Sequence, residues 1–126
     1  MLKTSILTLS LAFAGTIASA QTAAPDPDMA TAAAKNQLGI LEYCVAEGHI
    51  DGAAVETQTK MMEMLPAVQN QEVVDAAYAK GKEGTVSAMG VEQTLADAAT
   101  AQKSDVKSLC GQLSAMVEQA ASQMPK

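Results

Sequence analysis

The chain is expected to be all-α, a small bundle of four or five short helices closed by one disulfide, and three observations lead there. Apolar residues recur at helical spacing through most of the sequence beyond residue 28. No stretch of four or more residues alternates polar and apolar with β-branched enrichment, and no Asn-Gly turn joins two such stretches. The only two cysteines, Cys44 and Cys110, sit inside two of the helical segments.

The N-terminus is set apart from that bundle. Lys3 precedes an apolar run from Ile6 to Ile17, followed by Ala18-Ser19-Ala20. A charged start, a short apolar centre and a small-x-small ending form a secretory signal peptide, residues 1–20, with cleavage after Ala20. The run is shorter than the about 20 apolar residues a membrane-spanning helix needs, so no membrane insertion is expected after cleavage. The expected location is the periplasm or the exterior.

Residues 21–28, QTAAPDPD, read as a flexible acidic leader, because two prolines disfavour both regular helix and strand pairing. Residues 29–126 are then a single helical domain. Asp28 is placed to cap a first helix from Met29 to about Ala46, in which Leu38, Leu41 and Val45 share one face and Gly48 supplies a stop. Asp51 is placed to cap a second. Its stripe is Ile50, Ala54, Met61, Met64, Leu65 and Val68, and Pro66 ends the regular helix at about Leu65.

A short third helix between Asn70 and Lys80 carries Val73, Val74, Ala77 and Tyr78. The stretch with Gly81, Gly84 and Gly90 reads as a break, since each interior Gly disfavours helix by about 1 kcal/mol relative to Ala. Thr94-Leu95-Ala96-Asp97 has the form of a capping box and opens a fourth helix. Ser104 is placed to cap the last helix, where Val106, Leu109, Cys110, Leu113, Met116, Val117 and Ala120 follow a 3.6-residue period.

Composition removes several classes of function. Hydrophobic residues make up 48% of the chain and aromatics only 2%, with one His, no Trp and no Arg. Removing 20 of 126 residues leaves 106, with seven Lys against 14 carboxylates and a formal charge of −7. Nucleic-acid readers need a basic surface, and single-strand binders add aromatic platforms. Neither exists here, so no nucleic-acid partner is expected. Docking on anionic lipid is disfavoured for the same reason.

In an exported chain two cysteines are expected to pair with each other, tying the end of the first helix to the middle of the last. A separation of 66 residues makes that bridge worth about 4 kcal/mol on the chain-entropy estimate. There is no Cys-x-x-Cys spacing that would favour a redox or metal role.

His49 is the one side chain whose ordinary titration falls near neutral pH. It lies in Glu47-Gly48-His49-Ile50-Asp51, a turn between helices, and no Gly-x-Ser-x-Gly elbow or other partner motif accompanies it. No catalytic residue, resident metal or cofactor is therefore assigned, and the expected role is non-catalytic. The sharper alternative is a copper carrier. Met61, Met62 and Met64 cluster beside Lys60 and Glu63, and thioethers are soft ligands suited to Cu(I), with His49 a further candidate ligand. Met also fills cores that lack aromatics, which is the reading preferred for Met61, Met64 and Met116. A small enzyme centred on His49 is a third class.

In build alone, being exported, helical, about 100 residues long and held by one disulfide, the chain resembles the small acid-stress chaperones of the HdeA type. The resemblance implies a client or protein partner and carries over no residue. The leading expectation is a small exported helical protein with a binding or stress-related, chaperone-like role exercised through contacts with an unidentified protein partner or client.

Overall fold

The computed structural model describes residues 26–88 and 90–125. Residues 1–20, read from the sequence as a signal peptide, and residues 21–25 of the expected leader lie outside them. Five helices and one hairpin follow in order: α1 (Pro27–Ala46), α2 (Ala53–Met62), α3 (Gln71–Lys82), β1 (Thr85–Ala88), β2 (Val91–Thr94), α4 (Leu95–Ala101) and α5 (Val106–Ser122). The protein is mostly helical, as the periodicity requires, but it is not all-α. The antiparallel pair β1–β2, in register Thr85 with Thr94 and Ala88 with Val91, occupies the glycine-spaced stretch expected to be a mere break. Its strands are four residues long, too short for alternation to register, and its turn ends in Gly90 at φ +80° rather than in an Asn-Gly pair. No helix among the described residues is long and apolar enough to cross a membrane.

Helix ends follow the capping residues with small shifts. α1 starts two residues early, because Pro27 fits the first helical turn and Asp26, not Asp28, caps it by accepting the Asp28 N–H at 2.9 Å. Part of the proposed leader is thus helix. Gly48, at φ +75°, ends α1 in a Schellman closure: the His49 N–H bonds the Cys44 carbonyl and the Gly48 N–H that of Val45. The Asp51 carboxylate accepts the Ala53 N–H at 3.0 Å at the start of α2. That helix stops at Met62 instead of Leu65, since Pro66 bars Leu65 from helical geometry and the Met64 and Leu65 N–H groups turn to Met61 and Met62. Thr94 caps α4 as its capping box predicts, accepting the Asp97 N–H at 3.1 Å. Ser104 does not cap α5. Its N–H closes the end of α4 on Ala99, with Lys103 at φ 53°, so Asp105 caps instead and accepts the Ser108 N–H at 2.7 Å.

The seam between α1 and α3 sets the architecture. A Cβ on Gly81 would sit 2.2 Å from the Asn36 carbonyl oxygen, and one on Gly39 would sit 2.5 Å from that of Tyr78. The two backbones touch, and only glycine fits at either position. Gly81 is therefore inside α3, which runs to Lys82 rather than stopping at Lys80, because the contact it permits outweighs its poor helix propensity.

Beside that seam the buried Asn36 uses its whole amide. Nδ2 donates to the Ala77 carbonyl at 2.9 Å and the Thr85 carbonyl at 3.0 Å, and Oδ1 accepts the Ser87 N–H at 3.0 Å. One side chain on α1 thereby holds α3 and the outer edge of β1.

Apolar burial falls into three small groups. Ile40, Cys44, Leu95 and Cys110 form one, Ala32, Val74 and Ala77 a second, and Leu41, Ala54 and Val117 a third. The Cys44–Cys110 disulfide is formed, with both sulfurs buried and a Cα–Cα distance of 5.7 Å. Cys110 is the fifth of 17 residues in α5, so the bridge grips the first third of that helix and not its middle.

Gly81→Ala is expected to cost at least about 2 kcal/mol in denaturant unfolding, because the added methyl must part α1 from α3. Gly111→Ala on the open face of α5, where a Cβ would meet nothing within 4 Å, is expected to stabilise by about 0.5–1 kcal/mol. Equal effects of the two substitutions would contradict the seam.

Candidate functional site

Sequence reasoning singles out His49 and the methionines of α2, and the fold keeps them apart. His49 is half-buried in the turn between α1 and α2. Met61, Met62 and Met64 lie at the far end of α2, a ten-residue helix about 15 Å long. His49 instead comes within electrostatic reach of Asp105, the α5 cap. The Asp105 carboxyl is held below its ordinary value, chiefly by the Ser108 backbone N–H and hydroxyl, with smaller help from Lys107 and His49. Among the described residues no three His, Cys, Asp or Glu side chains gather as a metal site.

The methionines do not fill the core as their positions in the helical stripes imply. Met64 is 63% exposed and Met116 58%, while Met61 and Met62 are half-buried. The stripe of α2 is broken by Gln58, which is buried and donates its amide to the Ala34 carbonyl at 3.1 Å, giving the α1–α2 contact a polar pin. Past Met62 the chain crosses residues 63–70 to α3 as a strap. Leu65, Pro66 and Val68 of the strap, with Met62, Leu38 and Val74, wall a chamber of about 530 Å³, whose polar lining includes Lys35 and Glu63.

The strap is closed by a carboxylate. Asp28 accepts the Gln69 N–H at 2.8 Å and the Asn70 N–H at 3.0 Å, reaching 41 and 42 residues along the chain. The Asn70 side chain makes no cap of its own at the start of α3, so Asp28 supplies the negative group that a helix N-terminus favours. This is the role that Asp28 takes once Asp26 has claimed the α1 cap. Sequence reasoning missed it because a contact across more than 40 residues leaves no local signal.

A second cluster also escaped the sequence. The Tyr78 hydroxyl donates to Glu42 Oε2 at 2.5 Å, and the Lys35 and Lys82 ammonium groups lie 5.1 and 5.5 Å from the centre of its ring. The hydrogen bond to Glu42, burial, and the Glu42 charge push the Tyr78 phenol up to about 12. At neutral pH it is a protonated phenol whose hydrogen bond ties α1 to α3. Lys80 pairs with Glu92 on the solvent side and fastens the hairpin to α3.

Comparison of the chain with known protein families, with curated proteins and with solved structures finds no match. The site is therefore read from its own geometry: an open chamber of mixed apolar and polar lining under a strap, with Met62 at its edge and the strap tied down by one carboxylate.

In a Tyr43→Phe variant the remaining phenol, Tyr78, is expected to ionise at about 12 by its ultraviolet absorbance, and Glu42→Gln is expected to bring it down toward 10.0. Because its folded value is raised, the stabilisation by this pair is complete below pH 10.0 and is lost as pH climbs through about 12. Ionisation at 10.0 with Glu42 intact would contradict the Tyr78–Glu42 bond.

Proposed function

We propose that this is a small exported, non-catalytic helical protein that acts on other proteins in a stress-related, chaperone-like way, by presenting apolar surface that acid releases. The observation that carries the reading is the strap. Met64 is already exposed on it, Leu65 and Val68 wall a chamber with Leu38 and Val74, and the hydrogen bonds tying residues 66–70 to the rest of the described protein both end on the Asp28 carboxylate.

Other carboxylates do similar mechanical work. Asp26 caps α1, Asp105 caps α5, and Glu42 holds Tyr78. Asp105 has a sign that can be stated. Its folded value is lowered, so its contribution is present above the ordinary 3.8 and is lost as pH falls below it. Protonating the 14 carboxylates also moves the chain from net negative to strongly positive, and self-repulsion then loosens a core built largely of Ala, Val and Leu. The disulfide keeps α1 and α5 together while this happens, which favours a reversible loosening over complete unfolding.

The expected outcome is suppression of client aggregation, followed by light scattering at a pH of about 2 to 3, with little effect at neutral pH. Scattering of the client unchanged by the protein at acid pH would remove the reading.

A further inference from the structure

On the other side of α1 lies a groove of about 390 Å³ that the strap does not touch. Ala33, Gln37 and Ile40 of α1 form one wall, and Leu109, Leu113 and Met116 of α5 form another, each set at the i, i+4, i+7 spacing that lines up on one helix face. The hairpin and α4 complete it. In a chain that is 17% charged, not one lining side chain among the described residues carries a charge.

Its polar members are amides. Asn36 is spent on α3 and β1, but the side chains of Gln37, Gln102 and Gln112 enter none of the side-chain hydrogen bonds among the described residues, and Gln102 and Gln112 are exposed. Each offers two donors and an acceptor.

From this geometry we infer that the groove binds an extended, uncharged apolar segment of another polypeptide. Apolar side chains seat against Ile40, Leu113 and Met116, and the segment's backbone N–H and C=O groups pair with the glutamine amides. An extended segment is specified because a helix has already used its backbone groups internally, whereas an extended one leaves them to be satisfied. Strand addition to β1 is closed off, since Asn36 occupies the Ser87 N–H and Thr85 carbonyl on its outer edge. A fatty acid, a phospholipid or a nucleotide would bring an ionic group for which the lining has no counter-charge. This inference rests on the reading that the protein acts through protein contacts. It adds a second surface, open at neutral pH.

The test uses the oxidised protein at neutral pH and an acetylated, amidated peptide with a Leu-Val-Leu centre, followed by NMR. Shifts are expected at the methyls of Leu109, Leu113 and Met116 and at the side-chain amides of Gln102 and Gln112. Met116→Lys, at an exposed position that folding tolerates, is expected to weaken binding ~10-fold, and Gln102→Ala with Gln112→Ala by ~5-fold. The same peptide flanked by Asp is expected to bind more weakly.

Several results would overturn the inference: no shifts at millimolar peptide, shifts elsewhere, equal binding of the charged peptide, or glutamine variants without effect, the last marking a site for neutral small molecules. Met116 signals that move on dilution without peptide would also overturn it, assigning the groove to a second copy of the chain. Because this test runs at neutral pH, its failure leaves acid suppression of aggregation to stand or fall by its own measurement.

Discussion

The close approach of α1 and α3 at Gly39 and Gly81, pinned by the Asn36 amide beside it, is the constraint on which the other contacts depend. With the backbones touching, Ala32, Val74 and Ala77 can form a core although none is large. The same approach puts Tyr78 within reach of Glu42, and it brings the end of α3 to where the hairpin can hang from Asn36. No fully buried side chain is larger than Leu, so the usual route to a stable small domain, a few buried aromatics, is not used in the described core. Close backbone contact, a buried amide and a disulfide do that work instead.

A consequence is that the structure leans on carboxylates. Asp26, Asp28, Asp51 and Asp105 each accept backbone N–H groups at helix starts or at the strap, and Glu42 accepts from Tyr78. Such bonds are strongest to the ionised group. A net charge of −6 for the whole sequence is therefore not only a property of the surface. The charges are distributed among joints, and this links an acidic composition to a fold expected to loosen in acid.

Much of the helical map was legible because its signals are local. Gly48, Asp51, Pro66 and the Thr94 capping box mark ends within a residue or a few of where they fall, and the period of α5 marks the helix itself. The pairing of Cys44 with Cys110 followed from counting. What the sequence hid is long-range. Gly81 reads as a helix breaker until its contact with Asn36 is seen, and the hairpin reads as a break because Thr85–Ala88 and Val91–Thr94 are too short to show a period. Asp28 and Ser104 read as caps in the sequence, but Asp26 and Asp105 take those places, while the Asp28 carboxylate holds the strap and the Ser104 N–H closes the end of α4. The methionines placed on the apolar stripes proved to be partly or mostly exposed, since periodicity gives a face but not how far a partner helix extends to cover it.

The central claim, that one buried amide joins α1, α3 and the hairpin, is tested most directly by Asn36→Ala, with denaturant unfolding and hydrogen exchange of the Ser87 amide measured together. A loss of about 3 kcal/mol or more is predicted, with the Ser87 amide losing protection ahead of the amides of α5, because three hydrogen bonds go and the buried Ala77 carbonyl, the Thr85 carbonyl and the half-buried Ser87 N–H lose their partner. A stability within about 0.5 kcal/mol of the parent, with Ser87 still protected, would contradict the account.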